Sequence, residues 1–286
     1  MTDLNRARAL IFASGILWSL AGIGIKSVEA PAVTVAACRS LFAALAFAPF
    51  LIGKLQTLSW NPLLPAAALA YAGIMFTFVS ATKLTYAANA IVLQYTAPMF
   101  IFLLNRAIFK SARVYDKRDY AVLAGCMAGI LIIFFGQARS MHIYGIFLAM
   151  MSSVFFALYI VCVENIRDIS PVVIVFVSNL SAAVIIFAFA RPSLVLSRGD
   201  LTLLFFLGAF QLGLPYLLFN LGLKHIRSEE ASLIVLIEPF LNPLWVAIRL
   251  GEIPPVTTFI GGGCILITLA LRYLPDIRRG NGAGNL

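Results

Sequence analysis

Two ionisable side chains stand where the chain is otherwise apolar. Glu238 lies in IVLIEPFLNP (Ile234 to Pro243), and Arg39 lies in PAVTVAACRSLFAA (Pro31 to Ala44). A carboxylate held away from water can exchange a proton or pair with an amine. A guanidinium in the same setting can grip a carboxylate with two parallel hydrogen bonds. Each residue also has a structural reading: Glu238 as partner to an arginine or cap to a neighbouring helix, Arg39 as a helix tie, or the two as one ion pair. Pro239 and Pro243 follow Glu238 closely, and each lacks the N–H that an upstream carbonyl needs. Such carbonyls persist in a membrane only where protein or water satisfies them.

A second set consists of neutral polar and aromatic side chains near the middle of apolar runs. It comprises Trp18, Tyr71, Thr77, Ser80, Gln94, Tyr95, Ser153, Phe156, Tyr159, Asn179, Gln211, Tyr216 and Asn242. With Arg39 and Glu238 they make the expected substrate-binding set. Aromatic walls with a few convergent amides and hydroxyls suit an amphipathic solute of amino-acid size. For any single Ser or Thr, helix–helix packing is the competing role.

The elements that must position these groups are membrane helices. Of 286 residues, 62% are hydrophobic and only 12% charged, whereas soluble domains carry about a quarter charged. Ten windows of roughly 20 apolar residues, the length that spans a bilayer, fit the chain. They fall near 8–27, 32–52, 63–82, 87–108, 119–137, 143–163, 171–190, 201–221, 230–250 and 255–274. The first is read as an uncleaved span, since Arg6 and Arg8 precede a run with no clean cleavage site. Glu238 then sits roughly 12 Å from the start of the ninth span, at 1.5 Å per residue.

The net charge of +9 is spread through short loops, so a nucleic-acid partner is not expected. With the N-terminus inside, the inner loops and tails hold fourteen Lys and Arg, the outer ones six; Arg39 completes the 21. That excess puts both termini in the cytoplasm. Cys38, Cys126, Cys162 and Cys264 lie in apolar runs without metal or disulfide spacing, so packing is expected of each and no metal or cofactor is called for. Gly125 and Gly129, and Gly261 to Gly263, read as close-packing sites, not phosphate cradles. His142 and His225 lie near span ends without a nucleophile partner, and no catalytic set emerges: the chain is not expected to be an enzyme.

A shift of 141 residues lays Phe78, Lys83, Ala90 and Pro98 on Phe219, Lys224, Ala231 and Pro239. It also aligns the third and fourth spans with the eighth and ninth. Two repeats of five spans must lie in opposite orientation, a plan that secondary transporters share. The expected fold is therefore all-α, ten transmembrane helices as two inverted five-helix repeats, residues 1–140 and 141–278, with a disordered tail at 279–286.

ASLIVLIEPFLNPLWVAIRLGE (Ala231 to Glu252), NAIVLQYTAPMFIFLLNRAIFK (Asn89 to Lys110), LWSLAGIGIKS (Leu17 to Ser27) and the run around Arg39 resemble the EamA-type repeat of the drug/metabolite transporter superfamily. The resemblance covers essentially the whole chain. It departs where many first repeats end in Gly-Glu, for here Phe109-Lys110 stands. The overall likeness is to aromatic amino acid exporters of bacterial inner membranes. It implies a multi-pass inner-membrane protein that exports small metabolites by alternating access, with a small-molecule substrate and the lipid bilayer as partners. Monomer and homodimer both stay open. Other readings are a proton-coupled drug or nucleotide-sugar carrier, and a membrane assembly protein whose cavity residues would be dispensable.

Overall fold

A computed structural model describes residues 3–107, 117–137, 142–166, 168–226, 231 and 234–280. Every regular element among them is helical: α1 Asp3–Trp18, α2 Ala21–Ser27, α3 Ala32–Phe47, α4 Leu63–Leu84, α5 Ala87–Gln94, α6 Ala97–Ala107, α7 Lys117–Gln137, α8 Ile143–Glu164, α9 Pro171–Ala190, α10 Arg198–Phe206, α11 Leu214–Gly222, α12 Glu238–Leu250 and α13 Val256–Gly280. Six stretches are long and apolar enough to cross a membrane: Asp3–Ser27, Ala32–Leu51, Leu63–Leu84, Ile143–Glu164, Pro171–Ala190 and Arg198–Gly222. Shorter apolar helices occupy Ala87–Ile101, Tyr120–Gly136 and Val256–Leu271. The chain is an all-α, polytopic membrane protein.

Several windows that read as continuous spans are interrupted. The first breaks at Ser19 and Leu20, where the Ser19 hydroxyl donates to Ile16 O at 2.6 Å and competes with the helical ladder. The fourth breaks at Tyr95 and Thr96, because Pro98 cannot donate to the carbonyl of Gln94. The eighth contains a π turn, Leu207–Gly213, between α10 and α11. Pro215 withholds the donor for Gln211 O, and Leu214 N–H reaches back five residues to Ala209 O. In the ninth, a 3₁₀ turn at Val235–Ile237 precedes Pro239. The last helix runs to Gly280, two residues into the expected tail; residues 281–286, and the Phe109-Lys110 pair, lie outside the described residues.

The halves interlock. α4 packs on α8, and α1 on α11; α3 packs on α9, and α7 on α13. α3 meets the π turn as α4 meets α9, and α8 meets α5 and α6 as α1 meets the 3₁₀ turn and α12. Between apolar helices in lipid, close van der Waals packing of small residues does the work that water does in soluble cores. At the α7–α13 crossing a Cβ added to Gly129 would lie 2.5 Å from Gly261 O, and one added to Gly261 would lie 2.6 Å from Gly129 O. Both backbones need hydrogen at these positions. The sequence reading of these glycines as packing sites agrees with this, and the four cysteines are free thiols, three of them buried.

Contacts between halves also tie the two ends of the bundle. At one end Lys26 pairs with Glu252 and donates to Thr85 O at 2.9 Å, while Glu252 Oε1 accepts the Ala87 N–H at 2.7 Å. At the other, Ser59 donates to Asp168 at 2.5 Å, and this hydrogen bond holds the exposed Asp168 carboxyl below the usual carboxylate range. Gly129→Val is expected to part α7 from α13 and cost about 1–3 kcal/mol. Thermal unfolding in detergent reads it, and an unchanged midpoint would show that the crossing is looser than described.

Candidate functional site

The expected site residues divide into three groups. Trp18, Arg39, Gln94, Phe156, Gln211, Tyr216 and Glu238 line one internal cavity, together with Ala21, Ile74, Met75, Phe78 and Leu212. Tyr71, Tyr95, Tyr159 and Asn179 stand directly behind that wall. Thr77, Ser80, Ser153 and Asn242 do not line it.

The breaks in the helices account for this convergence. Trp18 is the last residue of α1, so its ring and its carbonyl both face the interior. Gln211 lies on the π turn, where the widened backbone turns its side chain toward α3. Its Oε1 accepts from Arg39 Nη2, and its Nε2 donates to Trp18 O at 3.2 Å. Arg39 is 2% exposed, yet its Nε and Nη1 have no hydrogen-bond partner among the described residues. A buried charge usually has every donor engaged. The Arg39 guanidinium departs from that rule, with one protein acceptor among the described residues, Gln211.

Glu238 is 6% exposed and opens α12. Tyr95, at the α5–α6 break, lies with its hydroxyl 2.8 Å from Glu238 Oε2 and 2.8 Å from Val235 O. The pairing of Glu238 with Arg39, one of the sequence readings, is not present: Arg39 engages Gln211 and Glu238 engages Tyr95. The physical reason is local. The π turn presents a neutral acceptor to the guanidinium, and the helix break presents a hydroxyl to the acid.

Trp18 and Tyr216 form the remaining wall, with Tyr71 and Tyr159 packed behind it. Trp18 and Tyr216 lie 4.8 Å apart at 68°, Tyr71 and Tyr216 4.9 Å apart at 72°, and Tyr159 and Tyr216 5.6 Å apart at 90°. Edge-to-face geometry of this kind favours each pair beyond simple burial. Tyr71 donates to Asn179 Oδ1 at 3.0 Å, and Asn220 donates to Tyr159 at 3.4 Å, so these phenols are anchored away from the cavity. Gln94 donates to Ser152 at 2.7 Å.

The non-lining group has packing roles. Thr77 donates to Gly73 O at 2.6 Å within its own helix, and Ser153 bonds to Thr96 at 2.9 Å across the α5–α6 break. Asn242 is fully buried without a hydrogen-bond partner among the described residues, against the glycine backbone of Gly22. Ser80 is buried off the cavity wall. Sequence reasoning missed Met75, Phe78 and Leu212, which are indistinguishable by type from lipid-facing neighbours. It also missed the π turn, although Pro215 four residues after Gln211 is a legible signal for one.

The open space in the cavity is small, about 30 Å³, room for water but not for a solute of amino-acid size. A larger crevice of about 360 Å³ lies between α12, α13 and α5, but its wall is apolar and includes exposed Phe240, Phe259 and Ile267. Convergent polar groups mark the smaller space as the site.

The helical membrane bundle thus brings a buried arginine and a buried glutamate to one internal cavity. A model of the EamA-like transporter family matches residues 6–135 and again residues 143–274, and the chain belongs to that family. It is 26% identical over 272 residues to an uncharacterised transporter of Archaeoglobus fulgidus, covering 94% of this chain and 97% of that one. A second uncharacterised transporter of the same organism is 26% identical over 266 residues, covering 87% of this chain and 92% of the other. A crystal structure with 18% identity superimposes with a TM-score of 0.68, over 95% of this chain and 98% of that one, and shows the same fold. Members of this family are transporters, not enzymes, and no group of three or more His, Cys, Asp or Glu among the described residues could hold a metal ion. The protein is a secondary transporter that moves small molecules across a lipid bilayer.

Gln211→Leu should strand Arg39 without its acceptor and lower stability by roughly 1.5–3 kcal/mol, the scale of a hydrogen bond to a charged group. Unfolding in bicelles reads the loss; no loss would mean that water already serves the guanidinium.

Proposed function

We propose that this transporter carries amino acids, aromatic ones favoured, and exports them by alternating access around the cavity. The observation that carries the reading is the buried Arg39 guanidinium, whose Nε and Nη1 have no hydrogen-bond partner among the described residues, in one cavity with the Glu238 carboxylate and a wall of aromatic rings. The α-carboxylate would pair with the Arg39 guanidinium. The α-ammonium would lie toward Glu238, and the side chain against Trp18, Tyr216 and Phe156. Since the open space is about 30 Å³, a solute of this size enters only when the walls part.

The motion follows from a repeat architecture: residues 1–140 and 141–278 as five-helix repeats of opposite orientation, ten spans in all, each rocking on the other. Two observations support it. The family model matches the chain twice, and the packing pairs map onto one another when the halves are exchanged. The basic-residue excess favours both termini in the cytoplasm, and the resemblance to exporters favours a bacterial inner membrane, although the two relatives named above are archaeal. A nucleotide-sugar carrier would call for more cations at depth, whereas Arg39 is the one cation that lines the cavity among the described residues.

Proteoliposomes loaded with labelled phenylalanine should release it faster than empty-vesicle controls. Arg39→Lys, which keeps the charge but loses the two-point geometry, should raise KM about tenfold, equivalent to about 1.4 kcal/mol. If neither phenylalanine nor another amino acid moves faster than through protein-free vesicles, the amino-acid reading fails.

A further inference from the structure

The cavity holds about 30 Å³, so a solute of amino-acid size passes only if the bundle parts at one end and then at the other. The contacts that close the ends therefore bear on transport, and the two ends are closed by different chemistry. At the Asp168 end the donors are uncharged. The Ser59 hydroxyl and the Asn61 amide reach Asp168 at 2.5 and 3.5 Å, and the Ser170 N–H reaches Thr57 Oγ1 at 3.0 Å. At the Lys26 end a carboxylate closes the gap.

Glu252 follows α12 in the second half of the chain, yet both its oxygens are engaged by the first half. Oε2 pairs with the Lys26 ammonium at the last turn of α2, and Oε1 accepts the Ala87 N–H, which opens α5, at 2.7 Å. That N–H is one of the first-turn donors that a helix leaves without an internal acceptor. The Lys26 and Glu252 side chains are 16% and 19% exposed, so their attraction is screened less than on an open surface. One turn further in, Thr258 donates to Asn89 Oδ1 at 2.6 Å and adds an uncharged link between the same two bodies. The first half is held to itself by other bonds: Lys26 also donates to Thr85 O at 2.9 Å, and Lys83 donates to Val28 O. Withdrawing Glu252 leaves those in place and breaks its own two contacts across the halves.

The turn that carries Glu252 is stiff. Gly251 takes φ +66°, the left-handed conformation that ends α12 and that a side chain would strain. Pro254 and Pro255 then restrict the residues before them to extended backbone. Glu252 therefore does not swing on a loose loop but moves with the end of α12. The same helix begins at Glu238 in the cavity wall, roughly 18 Å away at 1.5 Å per residue. The cavity acid and the closure of this end thus share one helix.

We propose that Glu252 is the latch of the Lys26 end: docked between α2 and α5 it closes the bundle, and its release with the end of α12 opens the cavity on that side. The role rests on the alternating-access reading. With both termini cytoplasmic this end faces outward, and the latch guards the exit of an exported solute.

Two measurements test it. Hydrogen–deuterium exchange on the full chain in nanodiscs needs no solute. Glu252→Gln, which keeps the size and loses the charge, should raise exchange about tenfold in the last turns of α2 and α12, the scale of one charge-assisted hydrogen bond. It should also slow exchange across residues 55–64 and 168–172, because a carrier of this kind closes one end as it opens the other. A rise confined to the Lys26 end marks a local helix staple and overturns the latch, as does no change at either end. In the second measurement a Lys26→Cys/Glu252→Cys double variant is joined by a short cross-linker with a reducible bond, and phenylalanine efflux from proteoliposomes is followed. Efflux should stop on joining, return on reduction, and persist in the two single-cysteine variants treated alike. The joined protein is compared with itself after reduction, so loss of fold is not read as a closed latch. Undiminished efflux through the joined protein overturns the proposal. If wild type itself carries no phenylalanine, the substrate reading fails and the exchange result alone decides the latch.

Discussion

A carbonyl without a donor is costly in hydrocarbon, and this fold contains breaks that create such groups at the centre of the bundle. The way they are satisfied organises the site. Val235 O, in the 3₁₀ turn before Pro239, keeps only the i+3 donor Glu238 N–H, and the Tyr95 hydroxyl is its second donor at 2.8 Å. The α1–α2 break turns Trp18 O inward, and Gln211 from the other half serves that one. Each interrupted helix is thus completed by a side chain from a distant part of the chain. The same two side chains also hold the two buried charges, Tyr95 at Glu238 and Gln211 at Arg39. Backbone repair and charge placement are one construction.

This linkage explains why the cation and the acid do not neutralise one another. A direct Arg39–Glu238 pair would give a well-satisfied ionic core with nothing left for a solute. Neutral partners instead leave the guanidinium with two unused N–H groups. A binding site of this sort is held open by hydrogen bonds that are strong enough to orient the charge and weak enough to leave it unquenched.

Much of this was legible in the residues. The apolar runs, the sparse charge and the short loops establish a polytopic helical protein before any coordinates. The glycines of α7 and α13 announce a close crossing. Pro98 and Pro239, aligned by the 141-residue shift, mark two breaks that the structure contains. The break at Ser19 and Leu20 was not legible, because it has no proline and rests on a serine hydroxyl bonding back to its own helix. Nor could the sequence separate the cavity-lining members of its polar set from the packing members. Thr77 and Gln94 are alike in depth and polarity, but one turns to its own backbone and the other across to Ser152. Facing direction at a broken helix is set by the geometry of the break, which a periodicity of 3.6 does not encode.

The asymmetry between the halves is the remaining informative feature. Pro98 and Pro239 align under the 141-residue shift, but where the later stretch has Glu238 the earlier has Ala97. The proline alone suffices to interrupt a helix, and Pro98 does so without an acid. An acid is needed only if the interruption is to respond to something. At the later break one tyrosine hydroxyl, that of Tyr95, lies 2.8 Å from Val235 O and 2.8 Å from Glu238 Oε2. In the first half the equivalent carbonyl, Gln94 O, has alanine in the acid's place. One break is set by proline alone, and the other adds an acid held by a tyrosine from the first break.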